Sequence, residues 1–283
     1  MIRMQNIRFQ YGKKPLFSDL NLEIPQGNIY GLLGINGAGK TTLLKIISGQ
    51  LFPTKGEISV LGYNSAERHP NMLEDLFHLP EEFLLPRVRV SEYLATYAPF
   101  YPKFDTEAFH RYCSEFGVDE TQQLNTLSYG QKKKFLLSFG LASNTALLIL
   151  DEPTNGLDIP SKSQFRRTVA SAMTNERTFI ISTHQVRDME NLIDPIIIVD
   201  SGSIVFNSGL DAVSEQFSMH LERVEPERDS AIFIDKVPGG WMTIRKRDKD
   251  EDETTVDLET LFNAIVSHPE QFTSFTGERG GAV

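Results

Sequence analysis

The sequence predicts an α/β fold built around a parallel sheet. Residues 146–150, 178–182 and 196–199 are short apolar runs rich in Ile and Leu, the pattern of strands buried on both faces. Residues 29–33 form a similar run that breaks into a glycine-rich loop and then into 41–48, where Leu43, Leu44, Ile46 and Ile47 recur at helical spacing. Strands alternating with helices imply this class.

Taken in chain order, residues 1 to about 30 read as a strand pair, with Phe9, Tyr11, Leu16 and Phe17 as apolar weight and Gly12 with Lys13 at the turn. This is expected to be a small antiparallel β subdomain. Residues 82–126 differ in texture: they are rich in aromatics, carry Pro86, Pro99 and Pro102, and hold helical stretches at 91–97 and 106–116. They are expected to be a helical insertion. After the run at 196–199, Gly202 turns the chain towards Ile204, Val205 and Phe206. Residues 1–217 are therefore expected to form one domain. Residues 218–283 are expected to be a small α+β extension of undefined role. In it, 232–237 and 241–246 are read as a hairpin across Gly239 and Gly240. The mixed-charge stretch 245–253 is read as a solvated loop, Leu258, Leu261, Phe262 and Ile265 as a helix, and 276–283 as frayed.

Composition bounds the function. The chain has 283 residues, 40% of them hydrophobic, enough for one sizeable core. A formal net charge of -10 argues against a nucleic-acid binder, which usually carries a basic face, so no nucleic acid is expected as partner. The single cysteine, Cys113, cannot make an internal disulfide, which fits a reducing compartment. The first ten residues alternate polar and apolar rather than forming a signal-peptide core. The most apolar stretch, 135–150, is interrupted by Ser138, Ser143, Asn144 and Thr145, so no membrane span is expected.

The chemistry is concentrated in a few motifs. Gly34-Ile35-Asn36-Gly37-Ala38-Gly39-Lys40-Thr41 matches the phosphate-binding loop G-x-x-x-x-G-K-[ST] in full, between a strand and a helix. Its glycines let successive N–H groups turn inward at a helix N-terminus, where partial positive charge favours anions. Lys40 adds a full charge, and the Thr41 hydroxyl is a hard oxygen ligand suited to Mg²⁺. The motif by itself indicates a nucleotide and no particular enzyme. Asp151 and Glu152 end the apolar run 147–150, at the carboxyl edge where such sheets bind ligands. Asp151 is placed to hold the metal and Glu152 to polarise a water. Leu127-Ser128-Tyr129-Gly130-Gln131 opens a further helix, and Ser128 with Gln131 also fits a capping box. Lys132, Lys133 and Lys134 follow in its first turn. Cations there oppose the helix dipole, a conflict that either a bound polyanion or plain solvation of the three ammonium groups would relieve.

Leu127 to Gln131 resembles the LSGGQ signature of the ABC-type ATPases, with Tyr129 in place of the first of its paired glycines. The resemblance covers roughly residues 1–215. Tyr11 stands where that family stacks an aromatic on adenine. Asn155-Gly156-Leu157-Asp158 resembles its D-loop, and His184 its switch histidine at the γ-phosphate. One departure concerns Glu81, at a position where the family usually has glutamine; a carboxylate there can still ligate a metal but cannot donate a hydrogen bond when ionised.

The resemblance implies a P-loop NTPase fold and an ATPase that uses ATP and Mg²⁺. It implies Asn36, Gly37, Ala38, Gly39, Lys40, Thr41, Thr42 and Tyr11 as nucleotide contacts, and Thr41, Asp151 and Glu81 as metal ligands. Glu152, His184 and Lys40 would be catalytic. Ser128, Gly130, Gln131 and Asp158 would meet a nucleotide held by a second subunit, in a homodimer or a heterodimer. It further implies an integral membrane permease as partner, met through the insertion 82–126, with this chain cytoplasmic and peripheral on the membrane's inner face. The Leu79-Pro80-Glu81-Glu82 run resembles exporter-type subunits. The alternative is a soluble ABC ATPase acting on a non-membrane assembly.

Overall fold

A computed structural model describes residues 1–227, 230–248 and 250–276. Strand β1 (Ile2–Tyr11) buries Ile2, Met4, Ile7 and Phe9 on one face and turns through Gly12 into β2 (Lys14–Ile24). The two pair antiparallel, with Ile2 opposite Ile24 and Tyr11 opposite Lys14. Strand β3 (Ile29–Leu33) is buried at every residue, as expected of a strand covered on both faces. The glycine-rich loop follows, then α1 (Lys40–Ile47). Strand β4 (Lys55–Val60) returns to β1 and completes a three-stranded antiparallel sheet in the order β2-β1-β4.

A short helix α2 (Pro70–Leu73) leads to β5 (Leu76–Leu79). The segment that follows is helical: α3 (Val90–Tyr97) and α4 (Thr106–Phe116), the latter capped by Asp105, whose carboxylate accepts from the Ala108 N–H at 2.9 Å. Helix α5 (Tyr129–Ala142) carries this segment into the core. Tyr93 meets Phe135 and Phe139 edge-on at 5.1 and 5.3 Å, an arrangement that aromatic quadrupoles favour.

Strands β6 (Leu147–Asp151) and β7 (Thr178–Thr183) are joined through α6 (Ile159–Ser171), and β7 lies between β6 and β3. With β8 (Ile196–Asp200) and β9 (Ser203–Ser208) they complete a six-stranded sheet in the order β5-β6-β7-β3-β8-β9. All its pairings are parallel except β8 with β9. The predicted α/β fold is therefore present. The carboxyl ends of β3, β6 and β7 deliver the loop after Leu33, the pair Asp151 and Glu152, and the segment leading to His184 to one edge of the sheet. Among the described residues no helix is long and apolar enough to cross a membrane.

Helix α7 (Leu210–Gln216) leads into β10 (Phe217–Glu222), a strand absent from the sequence reading. The expected hairpin is β11 (Phe233–Val237) and β12 (Gly240–Lys246), and β10 pairs with β12 along its length, Phe217 opposite Lys246. The loop expected over 245–253 is shortened, because Arg245 and Lys246 end β12 and Glu251 is bonded to His220 at 2.8 Å. Helix α8 (Leu258–Ser267) buries Leu258, Leu261, Ala264 and Ile265. These residues share one core with Phe206 and Val213, and Phe275 lies 5.3 Å from Phe206. The fraying expected at 276–283 concerns, beyond Thr276, residues outside the described ones.

Candidate functional site

The loop after β3 is shaped by its glycines. Gly39, at φ 112°, precedes α1; a Cβ there would lie 2.9 Å from the Phe17 ring, so both conformation and space require glycine. Gly34 comes so near the Val199 carbonyl that a Cβ would lie 2.5 Å from it. Helix α1 begins without a side-chain cap and without an acidic residue in its first turn. Its leading N–H donors are thus left to a ligand. Lys40 is buried, and its Nζ donates to the Gly34 carbonyl at 2.6 Å and the Ile35 carbonyl at 3.2 Å. Burial lowers the pKa of this ammonium, while the carboxylates of Glu152, Asp151 and Glu81 favour its charged form.

Tyr11, Asn36, Gly37, Gly39, Lys40, Thr41, Thr42, Glu81 and Glu152 all line one cavity of about 380 Å³. Eight predicted nucleotide or metal contacts and the predicted water-polarising carboxylate thus converge. Tyr11 is 54% exposed and its hydroxyl lies 3.1 Å from Thr42 Oγ1. Ala38 is buried within the loop and does not line the cavity. Lys14, Pro15 and Leu16 do line it, though their sequence shows only a strand after a turn; proximity to Tyr11 across the hairpin was the available signal.

Asp151 is fully buried at the end of β6. Ser182 Oγ donates to its Oδ1, and among the described residues its Oδ2 has no hydrogen-bond partner. Buried carboxylate oxygens are normally paired, so this atom keeps an acceptor position open, although Asp151 itself does not line the cavity. Glu152 follows at φ 47°, an uncommon conformation for a residue with a side chain, which costs about 1–3 kcal/mol. Its N–H donates to the Ser182 carbonyl and Ser182 Oγ, each at 3.1 Å. Its Oε1 lies 2.7 Å from His184 Nδ1. Ser182 is therefore a site residue that sequence reading missed, because within an apolar run it reads only as strand. Glu81 accepts from Asn155 Nδ2 at 3.1 Å.

Ser128, Gly130, Gln131 and Asp158 do not line this cavity. Ser128 caps α5 as expected: its Oγ accepts from the Gln131 N–H and the Gln131 Oε1 accepts from the Ser128 N–H, each at 3.3 Å. Tyr129 donates its hydroxyl to the Glu81 carbonyl at 2.7 Å and stacks on Phe83. Asp158 caps α6, accepting from the Ser161 N–H at 2.9 Å, and bonding to Ser161 lowers its pKa. The reading of Lys132, Lys133 and Lys134 as cations turned to a polyanion needs correction at Lys133. That residue is fully buried, and its ammonium is satisfied by the carbonyls of Glu152 and Asn155 at 2.9 and 3.0 Å.

Comparison with known proteins extends the pattern. A family model described as ABC transporter matches residues 17–155. The linearmycin resistance ATP-binding protein LnrL of Bacillus subtilis is 31% identical over 211 residues, 72% of this chain and 68% of that protein. The Nod factor export ATP-binding protein I of Cupriavidus pinatubonensis is 27% identical over 287 residues, 99% of this chain and 85% of that protein. Among solved structures, a dimeric ATP-binding cassette in a post-hydrolysis state with ADP and Pi superposes with a TM-score of 0.65 at 20% identity. The match covers 74% of this chain and 99% of that one, a likeness of fold.

Proposed function

The chain belongs to the ABC transporter family as an ATP-binding subunit with ATPase activity, and from that premise we propose that it drives export through a separate membrane permease. The observation that carries the reading is the convergence on one cavity of Lys40 and the free α1 N-terminus with Glu152, itself paired to His184. Phosphate oxygens bound at the first would face a hydrolytic pair at the second.

Lys40 and the N–H groups of the loop 34–39 bind the β- and γ-phosphates, and Tyr11 offers its ring to the adenine. The unpartnered Asp151 Oδ2 fits a divalent cation, with Thr41 and Glu81 as further oxygen donors in the cavity wall. A bound Mg²⁺ would supply charge neutralisation for the phosphates there. Glu152 orients a water and takes up its proton as the water oxygen bonds to the γ-phosphorus and the bond to the bridging β–γ oxygen breaks. His184 holds the Glu152 carboxylate and meets the γ-phosphate.

Ser128, Gly130, Gln131 and Asp158 serve a nucleotide held by a second subunit, identical or related. The fold neighbour is itself dimeric with ADP and Pi, which supports this arrangement. Residues 1–217 form the ATPase unit, 82–126 contact the permease, and 218–283 are an appended module. The unit works at the inner face of the membrane. The export direction draws support from the relative whose printed name specifies export.

The test is Glu152→Gln. We expect parental ATP binding, turnover reduced by about a hundredfold or more, and an ATP-dependent dimer visible by size-exclusion chromatography. Turnover at the parental rate would remove Glu152 from the role given it. Co-purification with a membrane protein, and ATP-dependent efflux when the pair is reconstituted in vesicles, test the transport reading; uptake in place of efflux would reverse the direction.

A further inference from the structure

Lys133 takes no part in the cavity, yet it is the most completely buried cation near it. It lies one helical turn after Tyr129 in α5 with none of its surface exposed. Lysines are almost never fully buried unless their charge and donors are met. Here Nζ donates to the carbonyls of Glu152 at 2.9 Å and Asn155 at 3.0 Å, and lies 5.2 Å from the centre of the Tyr129 ring. Burial lowers the pKa of the ammonium, and the carboxylates of Glu81, Glu152 and Asp151 favour its charged form.

The two carbonyls bracket the turn 152–155, whose first residue holds a positive φ. Such a conformation persists only where its surroundings over-determine it. Three groups do so. Ser182 accepts the Glu152 N–H, Glu81 accepts the Asn155 amide, and Lys133 donates to both carbonyls. The first two come from the sheet edge and the loop after β5. Lys133 comes from α5, the helix whose first turn is the Ser128 to Gln131 segment. Tyr129, in that same turn, donates to the Glu81 carbonyl. The Glu152 turn and the start of α5 are therefore cross-linked within one chain.

We propose that Lys133 is a positioning residue for Glu152: by pinning the carbonyls of Glu152 and Asn155 to α5, it sets the Glu152 carboxylate against His184 at the distance catalysis requires. The assignment rests on the reading of Glu152 as the water-orienting base. A carboxylate displaced by about 1 Å loses on the order of a hundredfold in rate, even when substrate still binds. The lysine accordingly acts on turnover and leaves nucleotide affinity, which is set at Lys40 and the α1 N-terminus, unchanged.

The test is a series at this position in the full chain. Lys133→Met keeps the stem and removes all donors, Lys133→Gln keeps an amide donor for one carbonyl, and Lys133→Arg keeps a cation with several. ATPase rates across ATP concentration are measured beside equilibrium binding of a non-hydrolysable ATP analogue. We expect Lys133→Met to lower kcat by about tenfold to a hundredfold, with KM and the analogue Kd within about twofold of the parent. Lys133→Arg should recover most of kcat, with Lys133→Gln between. Should the methionine variant fail to fold, the order of arginine over glutamine in kcat, at equal Kd, carries the test. Parental kcat in Lys133→Met, equal kcat in the arginine and glutamine variants, or loss of kcat matched by equal loss of analogue affinity overturns the assignment. Glu152→Gln is run alongside. If it turns over normally, the base assignment itself falls. If it is inactive while Lys133→Met is normal, only the role of Lys133 falls.

Discussion

Helices α1 and α5 both start beside the chemistry, and they start in opposite ways. Helix α1 opens from Gly39 with no side-chain cap, so among the described residues no side chain takes up its leading N–H donors. Helix α5 opens from Ser128 with a complete capping box, so two of its end groups are satisfied before any ligand arrives. The first end is surrounded by its cavity; the second lies outside it. A bare helix end within a walled cavity suits the primary grip on a polyanion. A capped end on the outer face holds its shape alone and meets a ligand brought to it, with the Ser128 hydroxyl free to donate its own proton.

Substitutions at the two ends sharpen this contrast. The largest expected effect is at the α1 end: Lys40→Ala should weaken ATP binding by about a hundredfold or more, since a buried charge-assisted contact to phosphate is worth several kcal/mol when desolvated. Isothermal titration reads it, and unchanged affinity would break the asymmetry at once. Gly39→Val should follow, because a branched side chain at φ 112° would also strike the Phe17 ring. It is expected to lose nucleotide binding and to melt several degrees lower in a thermal scan. At the α5 end, Ser128→Ala should cost about 1 kcal/mol of stability through the lost cap. It should reduce ATPase turnover and leave nucleotide affinity of the isolated subunit within about twofold; a fall in that affinity would place Ser128 in the cavity of its own chain. The smallest effect should come from Tyr11→Phe, which loses only the contact to Thr42 Oγ1 and keeps the ring, so affinity should shift by about threefold or less.

The two regions were also unequally legible. The α1 end could be read almost completely, since the loop 34–41 and its flanking strand and helix are contiguous and each residue type has one physical task. The end of α5 was read correctly as a capping box but wrongly at Lys133. A run of three lysines reads as solvated; what buries the middle one are carbonyls 19 and 22 residues further along the chain, and backbone acceptors leave no mark on a sequence. Ser182 escaped for the same reason: its importance lies in facing Asp151 across β6 and β7. Strand β10 is a different case, because Phe217, Met219 and Leu221 alternate with Ser218, His220 and Glu222 at period two. That signal was present, and its shortness beside α7 hid it. Glu81 accepts the Asn155 amide N–H, a contact that a glutamine carbonyl oxygen could equally accept, so the departure from glutamine leaves this link intact.

Cys113 is the chain's single cysteine; it is buried, and burial pushes its thiol up to about 12. The thiolate that reacts with maleimides and disulfides is then scarce at neutral pH. The natural chain is in effect already prepared for site-selective labelling. One cysteine introduced on an exposed turn would carry the whole of a fluorophore or spin label, so the approach of two subunits during a cycle could be followed by distance measurement without first stripping the native thiol.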